Sequence, residues 1–315
     1  MLFIDHDEVL RLLTPEACVN VMRRTLIDLE NGCSEQYLRT GIRLPNENKL
    51  GIMPAWLSPE IMGAKIISVY QKNSEIGLPS HQGFVILFDA GTGTPLCIVD
   101  GDAITQVRTG AVSAVATDLL ARQDASRAAF LGAGVQARSH LASLLVIRDI
   151  KQVSVYNRTQ HHAESFAKWA EESYGLPVKI ASTAAEAASE ADIICTLTAS
   201  PTPVLCRSDV KEGTHINAVG ACSAGFRELD TALVRDSRFF GDRTESIMNE
   251  SGDFLIPLAE GAVTKEHFLG ELGQLLCEKI KGRTSNSDIT VFESLGLAVE
   301  DLAAAYYVYQ RHCFT

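Results

Sequence analysis

The stretch "FLGAGVQARSH", residues 130–140, ends a short apolar run, turns through small residues and enters a segment with helical spacing. Its centre, "GAGVQA", fits the pattern GxGxxA, in which the first glycine permits a tight turn and the second lets the backbone approach a pyrophosphate. The N-terminus of the following helix would offer unpaired N–H groups and a positive dipole end to the phosphates. The motif predicts a dinucleotide-binding turn with cofactor contacts from Gly132, Gly134, Val135 and Gln136.

The glycine turn belongs to a repeated alternation of strand and helix patterns. From residue 128 onward the strand patterns "RAAFLGAG", "KQVSVYN", "VKIAS", "DIICTLTA" and "THINAVGA" are separated by helical segments. This alternation is typical of a parallel sheet with helices on both faces, and we expect "THINAVGA" to complete the sheet. The predicted fold class is therefore α/β, with a Rossmann-type doubly wound parallel sheet.

The first third of the chain has a different pattern. A helical segment at residues 15–31 precedes the strand patterns "GAKIISVYQ" and "GFVILFDAGTGTPLCIVDG", the second of which contains a Gly-rich hairpin turn. Hairpin strands predict a separate α+β domain. The helical segment 109–121 would connect the domains, and "VFESLGLAVEDLAAAYYVYQ" would be a late helix that packs back on the first domain. The expected domains are 1–115 with 293–315, and an NADP-binding domain at 116–292.

The residues after the second strand of the dinucleotide domain indicate which cofactor it takes. NAD enzymes commonly hold the ribose hydroxyl with Asp or Glu at this point, and a carboxylate would repel the 2′-phosphate of NADP. This chain has Asn157, Arg158 and Thr159 instead. A planar guanidinium beside neutral hydrogen-bonding groups suits a phosphate, so we predict NADPH, with NADH as a weaker alternative. Arg158 could also be an ordinary surface residue, in which case the domain would take either cofactor.

The composition excludes several classes of protein. The 315 residues carry a formal charge of −11 with a pI near 5.2, and such an acidic surface repels nucleic acid. The apolar runs are far shorter than the ~20 residues of a membrane span, and the start lacks a basic secretory leader, so we expect a soluble cytoplasmic protein. The eight cysteines contain no CxxC pair and are expected to be reduced and mostly buried. Motifs of metalloproteases, serine hydrolases and P-loop proteins are missing, and no metal site is expected.

Motifs along nearly the whole chain resemble the ornithine cyclodeaminase and mu-crystallin family. They are "GIMPAW", "GAKIISVY", "GLPSHQG", "DGDAITQVRTGAVSA", "FLGAGVQARSH", "YNRT", "HINAVGA", "ESGD" and "VFESLGLAVEDLAAA". The resemblance implies a homodimer in which the first domain serves substrate binding and dimerisation. The first domains of two subunits would form a closed β-structure, with the active site between domains. It also implies that the enzyme uses NAD(P) to act on a small amino acid or its imine.

The resemblance further assigns site residues. The carboxylate-binding cations of the family match Arg43, Lys65 and Arg108, which would form a positive well for an anionic substrate. Each of these cations, taken alone, could equally form a surface ion pair. Further cofactor contacts would come from Ser80, Arg108, Thr198, Val219 and Ser294, positions that could otherwise be ordinary strand ends or helix starts.

One departure from the family pattern guides the choice of reaction. Cys222 stands where the cyclodeaminase branch, as we align it, has a catalytic Asp, and a thiol is a poor replacement for that base. The mu-crystallin branch, whose enzymes reduce cyclic ketimines with NADPH, fits better. The hypothesis is reduction of Δ1-pyrroline-2-carboxylate or Δ1-piperideine-2-carboxylate to L-proline or L-pipecolate. Lys65 or Glu250 would supply or stabilise the iminium proton.

Three other functions remain open at this point. One is an amino-acid dehydrogenase of the alanine type, which would consume pyruvate and ammonia. Another is residual ornithine cyclodeamination. The third is an NADPH-dependent protein that binds a small ligand without catalysis, and the full set of three cations argues against it.

Overall fold

The computed structural model describes residues 1–314, apart from the side chains at positions 47, 71, 74 and 75. It divides into two compact units, of which the first comprises Met1–Arg108 and the chain from Gly296 onward, and the second comprises Thr109–Leu295. The sequence predicts domain boundaries between residues 115 and 116 and between residues 292 and 293. The functional roles expected for the two domains stay predictions.

The secondary structure elements follow in chain order. The strands are β1 Leu2–Ile4, β2 Ser34–Gln36, β3 Thr40–Arg43, β4 Lys49–Leu57, β5 Ile61–Val69, β6 His81–Asp89, β7 Pro95–Asp100, β8 Arg127–Leu131, β9 Gln152–Tyr156, β10 Val178–Ile180, β11 Ile193–Thr196, β12 His215–Ala218, β13 Arg238–Gly241, β14 Phe268–Glu271 and β15 Thr290–Glu293. The α-helices are α1 His6–Leu12, α2 Pro15–Glu30, α3 Gly101–Leu120, α4 Val135–Ile147, α5 Gln160–Tyr174, α6 Ala184–Ala188, α7 Thr231–Asp236, α8 Thr244–Glu250, α9 Gly252–Ala259, α10 Leu272–Leu276 and α11 Ala298–Phe314.

The first unit is built on a mainly antiparallel sheet. Its strand order is β1-β7-β6-β5-β4-β2, with β3 also paired to β4, and only β1 joins its neighbour in parallel. The predicted hairpin is confirmed as β6 and β7, which are joined through a turn in which Gly93 has φ 71°. The predicted opening helix is also confirmed as α2, which begins after the capping hydroxyl of Thr14 with Pro15 in its first turn.

One face of this sheet is buried beneath helices. Along β4, β5 and β6 the odd-numbered residues are the more buried ones, among them Met53, Lys65 and Val85, because successive side chains of a strand alternate between faces. Helix α11 packs against these three strands and against α2. Lys65 of β5 therefore points into a helix-covered interior.

The second unit confirms the Rossmann-type fold. Its eight strands are all parallel, in the order β10-β9-β8-β11-β12-β15-β13-β14. Successive side chains of β8 pack on opposite faces of the sheet. Ala129 and Leu131 belong to one apolar cluster, and Ala128 and Phe130 belong to another. Both faces of the sheet are thus covered, as in a doubly wound domain.

The expectation that "THINAVGA" completes the sheet was wrong. Three further strands follow it, and β15 lies between β12 and β13. The run "VFESLGL" looked helical because a strand buried on both faces is continuously apolar and lacks the alternation that identifies half-buried strands. Helix α11 begins only at Ala298, two residues after Gly296, whose φ of 81° suits a glycine.

Two smaller expectations also need correction. The helix predicted at residues 109–121 begins earlier, because α3 starts at Gly101 and its first turn is capped by Asp100, whose Oδ1 accepts a hydrogen bond from the Ala103 N–H. The cysteines are less buried than expected, since Cys33, Cys222 and Cys313 are exposed.

Across residues 1–314 no helix combines the length and the apolar character that crossing a bilayer requires. A cytoplasmic location stays a prediction.

Candidate active site

The glycine turn of the second unit has the geometry of a phosphate-binding loop. Gly132 has φ 108°, and a Cβ at this position would lie 2.7 Å from the Leu197 carbonyl oxygen, so only glycine fits. Gly134 is exposed and forms the N-cap of α4 with no side-chain cap. A Cβ there would lie more than 4 Å from every described atom outside the neighbouring residues. The first N–H groups of α4 are therefore open to a ligand, and the arrangement fits the pyrophosphate of a dinucleotide.

The three residues expected at the ribose have different roles in the geometry. The side-chain oxygen of Asn157 accepts a hydrogen bond from the Ala133 N–H at 3.1 Å, and its amide nitrogen donates to the Thr159 carbonyl at 2.9 Å. Asn157 therefore braces the glycine turn. Arg158 and Thr159 are exposed, and the Arg158 guanidinium forms no ion pair with any residue from 1 to 314 that the structure describes.

The other predicted cofactor residues of this unit lie at the same edge of the sheet. Thr198, Val219 and Ser294 follow the carboxyl ends of β11, β12 and β15, which are neighbouring strands. The Ser294 N–H donates to the Ala218 carbonyl at 2.8 Å, which ties two of these ends together. The chain order reverses between β8 and β11, and ligands of doubly wound sheets bind outside the carboxyl ends at such a switch point.

Cys222 and Glu250 also belong to the second unit. The thiol of Cys222 is exposed and donates to the Val219 carbonyl at 3.3 Å, so it lies in the loop that follows β12. Glu250 is the last residue of α8 and is half-buried. Ser251, which follows it, caps α9 through a hydrogen bond from the Phe254 N–H.

The first unit brings two of the three predicted cations together. Oδ1 of Asp301 accepts a hydrogen bond from the Lys65 ammonium at 3.1 Å and another from Nε of Arg108 at 2.9 Å. Nη1 of Arg108 donates to Oε2 of Glu300 at 3.0 Å. Lys65 is 2% exposed and Arg108 5%, and both carboxylates are fully buried.

Sequence analysis missed the two carboxylates, and they change the electrostatics of the site. Lys65 and Arg108 are matched by Asp301 and Glu300, so these four groups are balanced in charge, and Arg39 adds one further positive charge that acts on Lys65. Acidic residues in the first turn of a helix are favoured by the helix dipole, so Glu300 and Asp301 in "AVED" carry no local signal of their distant partners. The carboxylates fix both cations in place.

Burial lowers the pKa of Lys65 to about 8, although attraction to Asp301 opposes the change. The positive charges of Arg108 and Arg39 lower this pKa further. Lys65 also donates to the Thr105 hydroxyl at 2.5 Å. The amine is therefore held firmly and loses its proton within a pH range in which most lysines stay charged.

Arg43 and Ser80 lie outside this buried cluster. Arg43 is exposed at the end of β3. In the strand register it lies opposite Lys49 of β4, and Lys65 of β5 lies opposite Met53 of β4. Because Lys49 and Met53 are four residues apart, Arg43 and Lys65 point to the same face of the sheet. Ser80 precedes β6, and its hydroxyl is 3.0 Å from Nδ1 of His81.

Arg39 is a further cation that sequence analysis missed. It donates to the Gly296 carbonyl at 3.3 Å. Gly296 also makes room for Arg108, because a Cβ there would lie 2.8 Å from Nη1 of that side chain.

Comparisons with known proteins agree with this architecture. The chain is 36% identical over 314 residues to a Delta(1)-pyrroline-2-carboxylate reductase of Bacillus cereus, and the match covers 99% of this chain and 96% of that protein. It is 40% identical over 268 residues to the ketimine reductase mu-crystallin of Mus musculus, covering 82% of this chain and 79% of that one.

A solved structure extends the likeness to the fold. The Thermococcus litoralis Delta(1)-pyrroline-2-carboxylate reductase, in complex with NADH and L-proline, superposes with a TM-score of 0.97 at 36% identity, covering 99% of this chain and 98% of that one. The profile of the ornithine cyclodeaminase/mu-crystallin family matches residues 2–313. The family resemblance found in the sequence is thereby confirmed, and the chain belongs to the ornithine cyclodeaminase/mu-crystallin family.

Proposed function

We propose that this protein is an NADPH-dependent reductase of small cyclic ketimine carboxylates. Its substrates would be Δ1-pyrroline-2-carboxylate, Δ1-piperideine-2-carboxylate or both, and its products L-proline and L-pipecolate. The observation that carries the proposal is the buried pair of Lys65 and Arg108, held by one carboxylate oxygen of Asp301 in a member of this family. The named relatives are reductases of cyclic imines, and the predicted class, a nicotinamide-dependent oxidoreductase, is confirmed.

The first unit would bind the substrate carboxylate. Arg108 presents a planar guanidinium that can orient as well as attract an anion, and Lys65 adds a compact charge. Arg43 points to the same sheet face and would contribute a third cation from its exposed position. Because Asp301 and Glu300 hold Arg108 rigidly, little reorganisation is needed when the substrate arrives.

The second unit would bind the nicotinamide cofactor, which supplies the hydride when bound. Its residues would be those of the glycine turn with Arg158, Thr159, Thr198, Val219 and Ser294. We propose that Lys65, rather than Glu250, donates the proton to the imine nitrogen. A pKa of about 8 allows this buried ammonium to give up a proton near neutral pH more readily than an ordinary lysine.

The preference for NADPH over NADH is also a proposal. It is supported by the exposed guanidinium of Arg158 and by the lack of a carboxylate among residues 157–159. The Thermococcus litoralis relative was solved with NADH. The preference therefore rests on residues 157–159 and can be tested at Arg158.

We also propose that the protein is a homodimer joined through the outer face of the first sheet. This face carries exposed apolar side chains, including Trp56 and Phe84, at 38% and 45% exposure. The rings of Phe3 and Phe84 contact each other edge to face on it. An apolar sheet face of this kind is stable in water when a second copy covers it, as the family's closed β-structure implies.

The decisive assay is oxidation of NADPH with Δ1-pyrroline-2-carboxylate, run beside pyruvate with ammonia and beside ornithine. We expect turnover with the cyclic imine and formation of L-proline. Arg108→Leu should abolish this turnover while the variant still binds NADPH. Faster turnover with pyruvate and ammonia, or release of ammonia from ornithine, would overturn the proposal in favour of a dehydrogenase or a cyclodeaminase.

A further inference from the structure

Two buried carboxylates stand behind the carboxyl edge of the second unit's sheet and have no part in the chemistry described so far. Glu228 comes from the motif "RELD" and Asp253 from "ESGD". Both are fully buried. A buried carboxylate is costly unless it is well hydrogen-bonded, so its partners indicate why it is there.

The carboxylate of Glu228 joins two loops. Oε1 accepts hydrogen bonds from the N–H and the hydroxyl of Thr198, at 2.6 and 2.7 Å. Oε2 accepts from the Thr196 hydroxyl at 2.8 Å and from the Gly220 N–H at 2.7 Å. Thr198 follows β11 and Gly220 follows β12, so one side chain fixes both strand ends and uses the full accepting capacity of a carboxylate.

The two loops are also in close contact at this point. A Cβ at Gly220 would collide with the carbonyl oxygen of Thr198 and would lie 2.8 Å from the carboxyl carbon of Glu228. Only a glycine lets the backbone come this close to the carboxylate. The close approach of the two loops therefore depends both on Gly220 and on the position of the Glu228 carboxylate.

Glu228 is itself held by the backbone and by Asp253. The N–H groups of Glu228 and Leu229 both donate to Oδ1 of Asp253, at 2.9 and 2.7 Å. The Glu228 carbonyl accepts from the N–H groups of Val204 and Leu205, at 2.7 and 3.0 Å. These bonds leave the carboxylate little freedom to move, so it is a rigid support for the loops.

We propose that Glu228 is a positioning residue that shapes the protein's contact with the nicotinamide half of the cofactor. In a doubly wound sheet the dinucleotide crosses the switch point, so its adenosine lies on the β8–β9 side and its nicotinamide on the β11–β12 side. Thr198 and Val219 belong to the loops on the β11–β12 side. This inference rests on the proposed use of a nicotinamide cofactor and is independent of which substrate is reduced.

The test is Glu228→Gln, with Asp192→Asn as a matched control. Glutamine replaces one accepting oxygen by an NH₂ group, which must face either the Thr198 N–H or the Gly220 N–H, donor against donor. Asp192 is also a buried carboxylate of this sheet, and its Oδ2 accepts from the N–H groups of Ser126 and Arg127, both at 3.1 Å. It precedes β11, at the opposite edge, so its loss should leave the cofactor site intact.

Binding of NADPH and NADH is measured by fluorescence, and binding of their adenosine-half fragments, adenosine 2′,5′-bisphosphate and ADP, by calorimetry. We expect Glu228→Gln to weaken both dinucleotides by about 10-fold or more, since charged hydrogen bonds are lost, and to change the fragments by less than about 2-fold. Asp192→Asn should change all four affinities by less than about 2-fold even where its melting temperature falls.

A milder variant keeps the proposal testable if Glu228→Gln fails to fold. Thr196→Val removes one donor to Glu228 and should weaken the dinucleotides by about 3-fold with the fragments unchanged. Equal losses for dinucleotides and fragments, or an unchanged dinucleotide affinity in every variant that folds, would overturn the proposal. Since no imine is used, failure of the substrate assignment would not alter this result.

Discussion

The lowered pKa of Lys65 makes a prediction about how carboxylate binding depends on pH. The protonated amine attracts the ligand and the neutral amine does not. With a pKa of about 8, the ammonium fraction is about 90% near pH 7 and about 9% near pH 9. If only the charged form contributes, affinity for an anionic ligand falls by about 10-fold over this interval, whereas an ordinary lysine with a pKa near 10.4 would cause almost no change.

The suitable probe is pyrrole-2-carboxylate, a planar ring acid whose nitrogen does not titrate in this range, so the protein alone sets the pH dependence. Its dissociation constant is measured by calorimetry in the presence of NADP⁺ at constant ionic strength. Lys65→Met is the control, and it should bind weakly at every pH with a flat profile. A flat profile in the wild-type protein, or the same fall in Lys65→Met, would refute the role given to Lys65.

Four further predictions address the cluster, the cofactor turn and the assembly. Asp301→Ala should lower the free energy of unfolding, measured by urea denaturation, by about 3 to 5 kcal/mol, because two buried cations lose a shared partner. The control Glu172→Gln, in the exposed pair with Lys168, should change it by less than about 0.5 kcal/mol. Arg158→Gln should raise the KM for NADPH by about 10-fold or more and leave that for NADH within about 3-fold, and equal effects on both would remove Arg158 from the phosphate site. Gly132→Ala should lower the melting temperature and abolish cofactor binding, whereas Gly134→Ala, whose Cβ meets no protein atom, should lose cofactor binding with the melting temperature within about 2 °C of wild type. Phe84→Glu should convert the dimer to a monomer in sedimentation experiments, and a wild-type protein that sediments as a monomer would contradict the proposed interface.

The parts of the fold that could be predicted are those with local signals. The glycine turn, its flanking strand and helix, and the alternation after residue 128 each depend on neighbours in sequence, so the Rossmann-type unit was identified correctly. Strand β15 was missed because burial on both faces removes the period-two pattern. The early start of α3 was missed because its first turn, "GDAI", has no strong helical periodicity.

The parts of the site that could not be predicted depend on distant partners. Lys65 and Arg108 were identified only through the family resemblance, and Asp301, which holds both, lies 236 and 193 residues away from them in the chain. No pattern within a segment reports such a pairing. Asn157 was expected to touch the ribose, and its bond to Ala133 could be seen only once the turn was folded.

Transfer of deuterium from cofactor to product tests the central claim most directly. The protein is supplied with NADPH in which deuterium replaces both hydrogens at C4 of the nicotinamide and with Δ1-pyrroline-2-carboxylate, and the proline formed is analysed by mass spectrometry and NMR. The account predicts L-proline with one deuterium, located at Cα. Proline without deuterium at Cα, or no proline at all under conditions in which the protein binds both ligands, would contradict it.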